Sequence, residues 1–91
     1  MTTQEMFTAL VLNSKNGIRK ANGIDVYSVM NHIYDTFGEN STLILTPDGI
    51  SPIERNEWAA IRRANRTSTG ETMILIDTES DGWSGLYFQV V

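Results

Sequence analysis

Hydrophobic residues recur at helical spacing in the first part of the chain, over residues 6–11. Thr2 and Glu5 precede this repeat with the spacing of a capping box, in which each residue bonds to the backbone of the other. The pattern predicts a first helix over about residues 3–14. A strand over Phe7–Leu12 is the alternative, because an Asn-Gly pair, which is typical of hairpin turns, follows it closely.

A second and stronger helical repeat covers residues 26–37. Asp25 stands before it as an N-cap residue, and Gly38 follows it in the position where helices commonly end on glycine. Two Asn-Gly pairs, at residues 16–17 and 22–23, separate the first two helices. Because Asn-Gly favours positive φ, this segment is predicted to be a loop or a small hairpin.

The third predicted helix spans Ser51–Arg66. Ser51 is interpreted as its N-cap, Pro52 as its first helical residue and Glu54 as the end of a capping box. At about 100° per residue, one face of this helix forms a hydrophobic stripe that should face the core. The stripe consists of Ile53, Ala60, Ile61 and Ala64.

Three short stretches rich in β-branched and aromatic residues predict strands, over residues 42–46, 72–77 and 85–91. The Pro-Asp-Gly sequence at 47–49 should turn the chain from the first strand into the third helix, and Asp81-Gly82 should join the last two strands as a hairpin. In the last strand, alternation assigns side chains to the core or to the outer face. Leu86, Phe88 and Val90 are assigned to the core, and Tyr87, Gln89 and Val91 to the outer face.

These elements, in the order α-α-β-α-β-β, predict an α+β fold in one small globular domain over residues 1–91. The expected sheet has three strands, ends in the antiparallel hairpin and carries the helices on one face. Because the first two strands are joined through a helix, a parallel crossover between them is allowed.

Composition narrows the classes of function. With 91 residues, 41% hydrophobic and 20% charged, the chain has the composition of a globular domain. It contains no cysteine, which excludes disulfides, thiolate catalysis and the usual structural zinc sites. The first residues do not resemble a signal peptide and no apolar run could span a bilayer, so we expect a cytoplasmic protein without membrane contact.

Basic residues concentrate on the third predicted helix. The chain carries a net charge of −4, yet residues 55–66 alone carry +3. Basic and aromatic side chains should lie away from the hydrophobic stripe, with three arginines opposite it, a fourth on one flank and a tryptophan on the other. In that order they are Arg55, Arg62, Arg66, Arg63 and Trp58.

Three interpretations of this arginine face remain open. It could contact an acidic protein surface, because arginine and tryptophan are favoured at interfaces. It could hold phosphates while Trp58 stacks on a base. Alternatively, it is a solvated face balanced by acids from elsewhere in the fold, with Trp58 packed against the sheet. No glutamate precedes these arginines by four residues, so ion pairs within the helix do not account for them.

Two other constellations suggest chemistry but favour ordinary structure. Ser28, His32 and Asp35 share a face of the second helix, which points them roughly parallel and provides no oxyanion hole, so we expect an exposed face without catalysis. The segment Asp77–Gly82 matches the first half of a calcium loop, but Phe88 stands where that loop requires glutamate. We therefore expect an acidic hairpin turn.

The function expected from the sequence is binding without catalysis, by a small protein of inhibitor, immunity or adaptor type, including those encoded by phages and mobile elements. A protein is the favoured partner, and no cofactor, metal or small-molecule substrate is indicated. The contact surfaces would be the helix Ser51–Arg66 and the hairpin Asp77–Trp83. Their contact residues are Arg55, Trp58, Arg62, Arg63, Arg66, Trp83 and Tyr87. The alternative is a nucleic-acid-binding module, monomeric or homodimeric, that uses the arginine face.

Overall fold

A computed structural model describes residues 1–66, 70–79 and 85–91 of the chain. Within these ranges it is an α+β fold with three helices and two sheets, which confirms the predicted class. The elements are α1 (Thr3–Asn16), β1 (Lys20–Ala21), β2 (Ile24–Asp25), α2 (Val26–Phe37), β3 (Ser41–Thr46), β4 (Gly49–Pro52), α3 (Arg55–Ala64), β5 (Ile74–Thr78) and β6 (Leu86–Val90). The predicted order lacked β1, β2 and β4.

Helix α1 begins at the predicted capping box. The Glu5 N–H donates to Thr2 Oγ1 at 3.1 Å, and the Thr2 N–H donates to Glu5 Oε1 at 2.8 Å. Gly17 ends the helix with a φ of 67° and donates its N–H to Asn13. The predicted helix is therefore confirmed, and the alternative strand over Phe7–Leu12 is wrong.

The capping box lowers the pKa of Glu5 below its ordinary value, first because the Thr2 backbone N–H donates to the carboxylate and then through the Thr2 side chain. A carboxyl whose pKa is lowered by folding stabilises the protein fully above its unfolded pKa, and this contribution is lost as the pH falls through the folded pKa. We expect an NMR titration of the Glu5 side chain to show this lowered pKa, and Thr2→Ala to raise it towards the ordinary value. An ordinary value in the wild type would contradict the prediction.

The segment between the first two helices also follows its local sequence signals. Asn22 and Gly23, with φ of 53° and 81°, form the turn between β1 and β2, so the small hairpin is confirmed. Asp25 caps α2 by accepting the Tyr27 N–H at 2.7 Å, and Gly38 follows the helix with a φ of 78°.

The main sheet has four strands in the order β4-β3-β5-β6, and all neighbouring pairs are antiparallel. The parallel crossover that the sequence allowed between the first two long strands does not occur, because β3 and β5 pair antiparallel with Leu43 opposite Ile76. The physical reason is the additional strand β4, which reverses the chain before α3 begins. The helix therefore connects β4 to β5, which run in the same direction on either side of β3.

Strand β4 includes Ser51 and Pro52, which were assigned to the start of the third helix. The turn at 47–49 leads into an antiparallel hairpin in which Ser51 pairs with Ile44, so Ser51 is not an N-cap. Helix α3 instead begins at Arg55, after Glu54, which makes no side-chain cap. Pairing with β3 satisfies the backbone through this segment and beyond it, since Ile53 donates its N–H to Thr42 at 3.0 Å.

Helices cover both faces of the sheet, which corrects the prediction of one covered face. The hydrophobic core between α1, α2 and the sheet contains, among others, Met6, Phe7, Leu10, Val29, Ile33, Leu43, Leu45, Ile74, Ile76 and Leu86. Helix α3 packs on the opposite face around Trp58, Leu75 and Val91. Strand β5 is buried along its whole length, so its alternate side chains require cover on both faces.

The predicted hydrophobic stripe of the third helix is only partly correct. Ile53 and Ile61 are half-buried against the second cluster, whereas Ala60 and Ala64 are exposed. Trp58, which was placed at the edge of the basic face, is instead the buried anchor of the helix. None of the helices in the described ranges is long and apolar enough to cross a membrane.

Candidate functional site

A groove of about 510 Å³ lies between helix α3 and strand β6, and we call it the α3–β6 groove. Three arginines, two aromatic residues and two smaller side chains line it. They are Arg62, Arg63, Arg66, Trp58, Tyr87, Ala59 and Gln89. The fold therefore brings five of the seven predicted contact residues to one surface.

Two aromatic rings form one wall of the groove. The ring centroids of Trp58 and Tyr87 are 6.2 Å apart, with an angle of 67° between the planes, which is an edge-to-face arrangement. Trp58 is only 6% exposed, whereas Tyr87 is 38% exposed. The exposed position of Tyr87 agrees with the alternation predicted for the last strand, whereas Val91, which was also assigned to the outer face, is buried because α3 covers it. The burial of Trp58 follows from its contact with Leu75 and Val91 beneath α3.

Arg62 lies across both rings. Its guanidinium carbon is 4.8 Å from the centroid of Tyr87 and 5.7 Å from that of Trp58, within the range of cation–π attraction. The Arg62 Nε–H also donates to Gln89 Oε1 at 3.1 Å, and the Tyr87 hydroxyl donates to the same oxygen at 3.1 Å. Arg62 is thus held by three partners within the molecule.

Arg63 and Arg66 differ from Arg62 in their contacts. Both side chains are exposed and line the groove, yet neither guanidinium has a hydrogen bond or ion pair with any described residue. The described residues that line the groove include no carboxylate. The groove therefore combines positive charge that has no counterion among the described residues with a partly exposed aromatic wall.

Arg55 lies outside this groove. Its guanidinium contacts the carboxylate of Asp77 at 3.4 and 3.5 Å, and Asp77 is almost completely buried. The role of Arg55 in the structure is therefore to provide a counterion for a sheet carboxylate. Among the described parts of the chain, Lys15 with Glu71 forms the other ion pair.

The acidic segment is only partly described. Asp77 faces Arg55, and Thr78 is completely buried. The predicted turn at Asp81-Gly82 and the predicted contact residue Trp83 lie outside the described residues. Within the described ranges, no group of three or more histidine, cysteine or acidic residues could hold a metal ion.

The indole N–H of Trp58 is buried and has no hydrogen-bond acceptor among the described residues. A buried donor without an acceptor costs about 1–3 kcal/mol. The packing of the indole ring beneath α3 must outweigh this cost, which indicates that Trp58 contributes mainly as a large apolar group.

The remaining candidate, on helix α2, shows no assembled chemistry. Ser28, His32 and Asp35 are exposed, and no hydrogen bond joins any two of them. By contrast, Gln89 was not predicted as a site residue, although it anchors Arg62 and Tyr87. The outward alternation of the last strand, which places Gln89 beside Tyr87, was the signal that could have identified it.

We also compared the chain with models of protein families, with curated proteins and with solved structures, and none of these comparisons returned a match.

Proposed function

We propose that this protein is a binding module without catalytic activity of its own, and that it recognises a protein partner through the α3–β6 groove. The observation that carries the proposal is the position of Arg63 and Arg66 and their lack of described side-chain partners. Both line a groove beside exposed Tyr87, and neither has a partner among the described residues.

The residue types in the groove support an interface. A few residues supply most of the binding energy at protein interfaces, and arginine, tyrosine and tryptophan are enriched among them. Arg63 and Arg66 make no described intramolecular bond that stabilises the fold, so binding would not require breaking one. Arg62 is already fixed on two rings, and a side chain ordered before binding loses less entropy when the complex forms.

The arrangement supports a protein partner better than nucleic acid. Binding of single strands relies on aromatic faces that are open for base stacking. Here Trp58 is buried, and one face of the Tyr87 ring is already occupied by Arg62 at 4.8 Å. The net charge of −4 also repels nucleic acid outside the groove. Nucleic acid remains the second candidate because the three groove arginines could contact phosphates.

An inhibitor, immunity or adaptor role, with phage or mobile-element origin, is our proposal for the biological class, and rests on the small size and acidic charge of the chain. The complete absence of cysteine suits a reducing compartment, so we propose the cytoplasm as its location.

Charge reversal in the groove tests this function. We expect Arg63→Glu and Arg66→Glu each to weaken binding of the captured partner by at least about tenfold, because a rim arginine at a charged interface then faces like charge. Lys20→Glu is the matched control, since Lys20 is exposed on strand β1, away from the groove. The measurement is capture from nuclease-treated host lysate, followed by calorimetry with the purified partner.

Melting temperatures should be equal for the three variants and the wild type, so that a loss of binding cannot be attributed to unfolding. Equal capture by all four proteins would contradict the proposed function. Capture that disappears after nuclease treatment would favour the nucleic-acid alternative.

A further inference from the structure

We propose that the α3–β6 groove receives an acidic segment of the partner protein, with at least two carboxylates bound by Arg63 and Arg66. This inference rests on the proposed function and specifies the chemistry of the partner. Its basis is the charge of the groove together with the different ways in which its three arginines are held.

Positive charge is concentrated in the α3–β6 groove. Three guanidinium groups surround one groove, and none of the described lining residues is acidic. Like charges that line one groove repel one another, and an anion bound in the groove relieves this repulsion. The helix dipole favours cations in the last turn of α3, which contains Arg62 and Arg63. It does not account for Arg66, which lies beyond the C-cap residue Asn65.

The three groove arginines differ in their contacts within the molecule. Arg62 is a positioning residue, because Gln89 and the two rings already hold its guanidinium. The guanidinium groups of Arg63 and Arg66 donate to no described residue. No described group therefore competes with a ligand for their N–H donors. Each guanidinium presents donors in a planar fork that matches both oxygens of a carboxylate. Two carboxylates can therefore be bound at neighbouring positions.

The groove favours a carboxylate over a nucleic-acid phosphate as the bound anion. A phosphate of a single-stranded nucleic acid arrives with a base, which requires an open aromatic face. Arg62 occupies one face of the Tyr87 ring, and Trp58 is buried, so the groove offers more charge than aromatic surface for stacking. Its volume of about 510 Å³ is within the range of sites that enclose a ligand, and suits several side chains of a peptide.

The test uses the full chain and a defined probe, an acetylated and amidated tetraglutamate peptide, followed by two-dimensional NMR. We expect the Trp58 indole N–H and the Nε–H signals of Arg63 and Arg66 to shift with a dissociation constant of about 1 mM or tighter. Arg66→Glu should weaken this binding by at least about fivefold, and raising the salt concentration should weaken it as well. Lys20→Glu should leave it unchanged.

Tetraglutamine is the matched neutral probe, and a thymidine tetranucleotide is the matched phosphate probe. Shifts with tetraglutamate alone support the inference. Equal shifts with tetraglutamine, no groove shifts with tetraglutamate, or tighter binding of the oligonucleotide would each overturn it. If Arg63→Glu abolishes capture of a protein from lysate while tetraglutamate does not bind, the proposed function stands and this inference alone fails.

Discussion

Trp58→Ala is expected to lower the free energy of unfolding by about 3–5 kcal/mol, the usual cost of removing a large buried aromatic side chain. Trp58 is 6% exposed and is one of three buried residues in the cluster beneath α3, with Leu75 and Val91. The loss is large because domains are stable by only about 5–15 kcal/mol in total. Urea denaturation followed by circular dichroism measures it.

Trp58→Phe separates packing from hydrogen bonding at the same position. Phenylalanine keeps an aromatic ring beneath α3 and lacks the indole N–H, which has no acceptor among the described residues. We therefore expect a cost of about 1–2 kcal/mol, well below that of alanine, since removing an unsatisfied buried donor offsets part of the lost volume. Equal costs for phenylalanine and alanine would contradict this account of Trp58.

Thr78→Val is the second substitution with a large expected effect. Thr78 is completely buried, and its hydroxyl donates to the Gly38 carbonyl at 2.6 Å and accepts the Ser41 N–H at 2.9 Å. Valine keeps the shape but leaves both backbone groups without this partner. We expect a loss of about 2 kcal/mol in the free energy of unfolding, because two part-buried backbone groups lose their partner and an unsatisfied buried group costs about 1–3 kcal/mol.

Thr78→Ser is the control for that prediction. Serine retains the hydroxyl and loses one methyl group, for an expected cost of about 1 kcal/mol. The same urea measurement compares the two variants. If serine costs more than valine, packing of the methyl group is more important than the bridge between β5 and the chain that follows α2.

Short-range signals in the sequence predicted the beginning of the fold well. The capping box of α1, the Asp25 cap of α2 and the Asn-Gly turn between β1 and β2 are all present. Each is decided by hydrogen bonds or backbone angles within a few residues, so no distant part of the chain was needed to predict it.

The incorrect assignment of residues 51–54 to the third helix has the opposite origin. Ser51 and Glu54 have the spacing of a capping box, yet Ser51 pairs with Ile44 in a strand instead. A capped helix and a paired strand would each satisfy the backbone hydrogen bonds of this segment. Pairing with β3 decides between them. Because strand β4 forms, α3 lies on the other face of the sheet and β3 and β5 are antiparallel.

The candidate site shows the same division. The sequence by itself determined the charge on α3 and the outward alternation of β6, because helical and strand periods are local properties of the backbone. Only the tertiary structure decided that Arg55 pairs with Asp77, that Trp58 is buried, and that Arg62 spans two rings and reaches Gln89. Those contacts join residues 17 to 33 positions apart in the sequence, with the exception of the Trp58–Arg62 pair within α3. They exist because the sheet, hydrophobic on both faces, required α3 as its second cover.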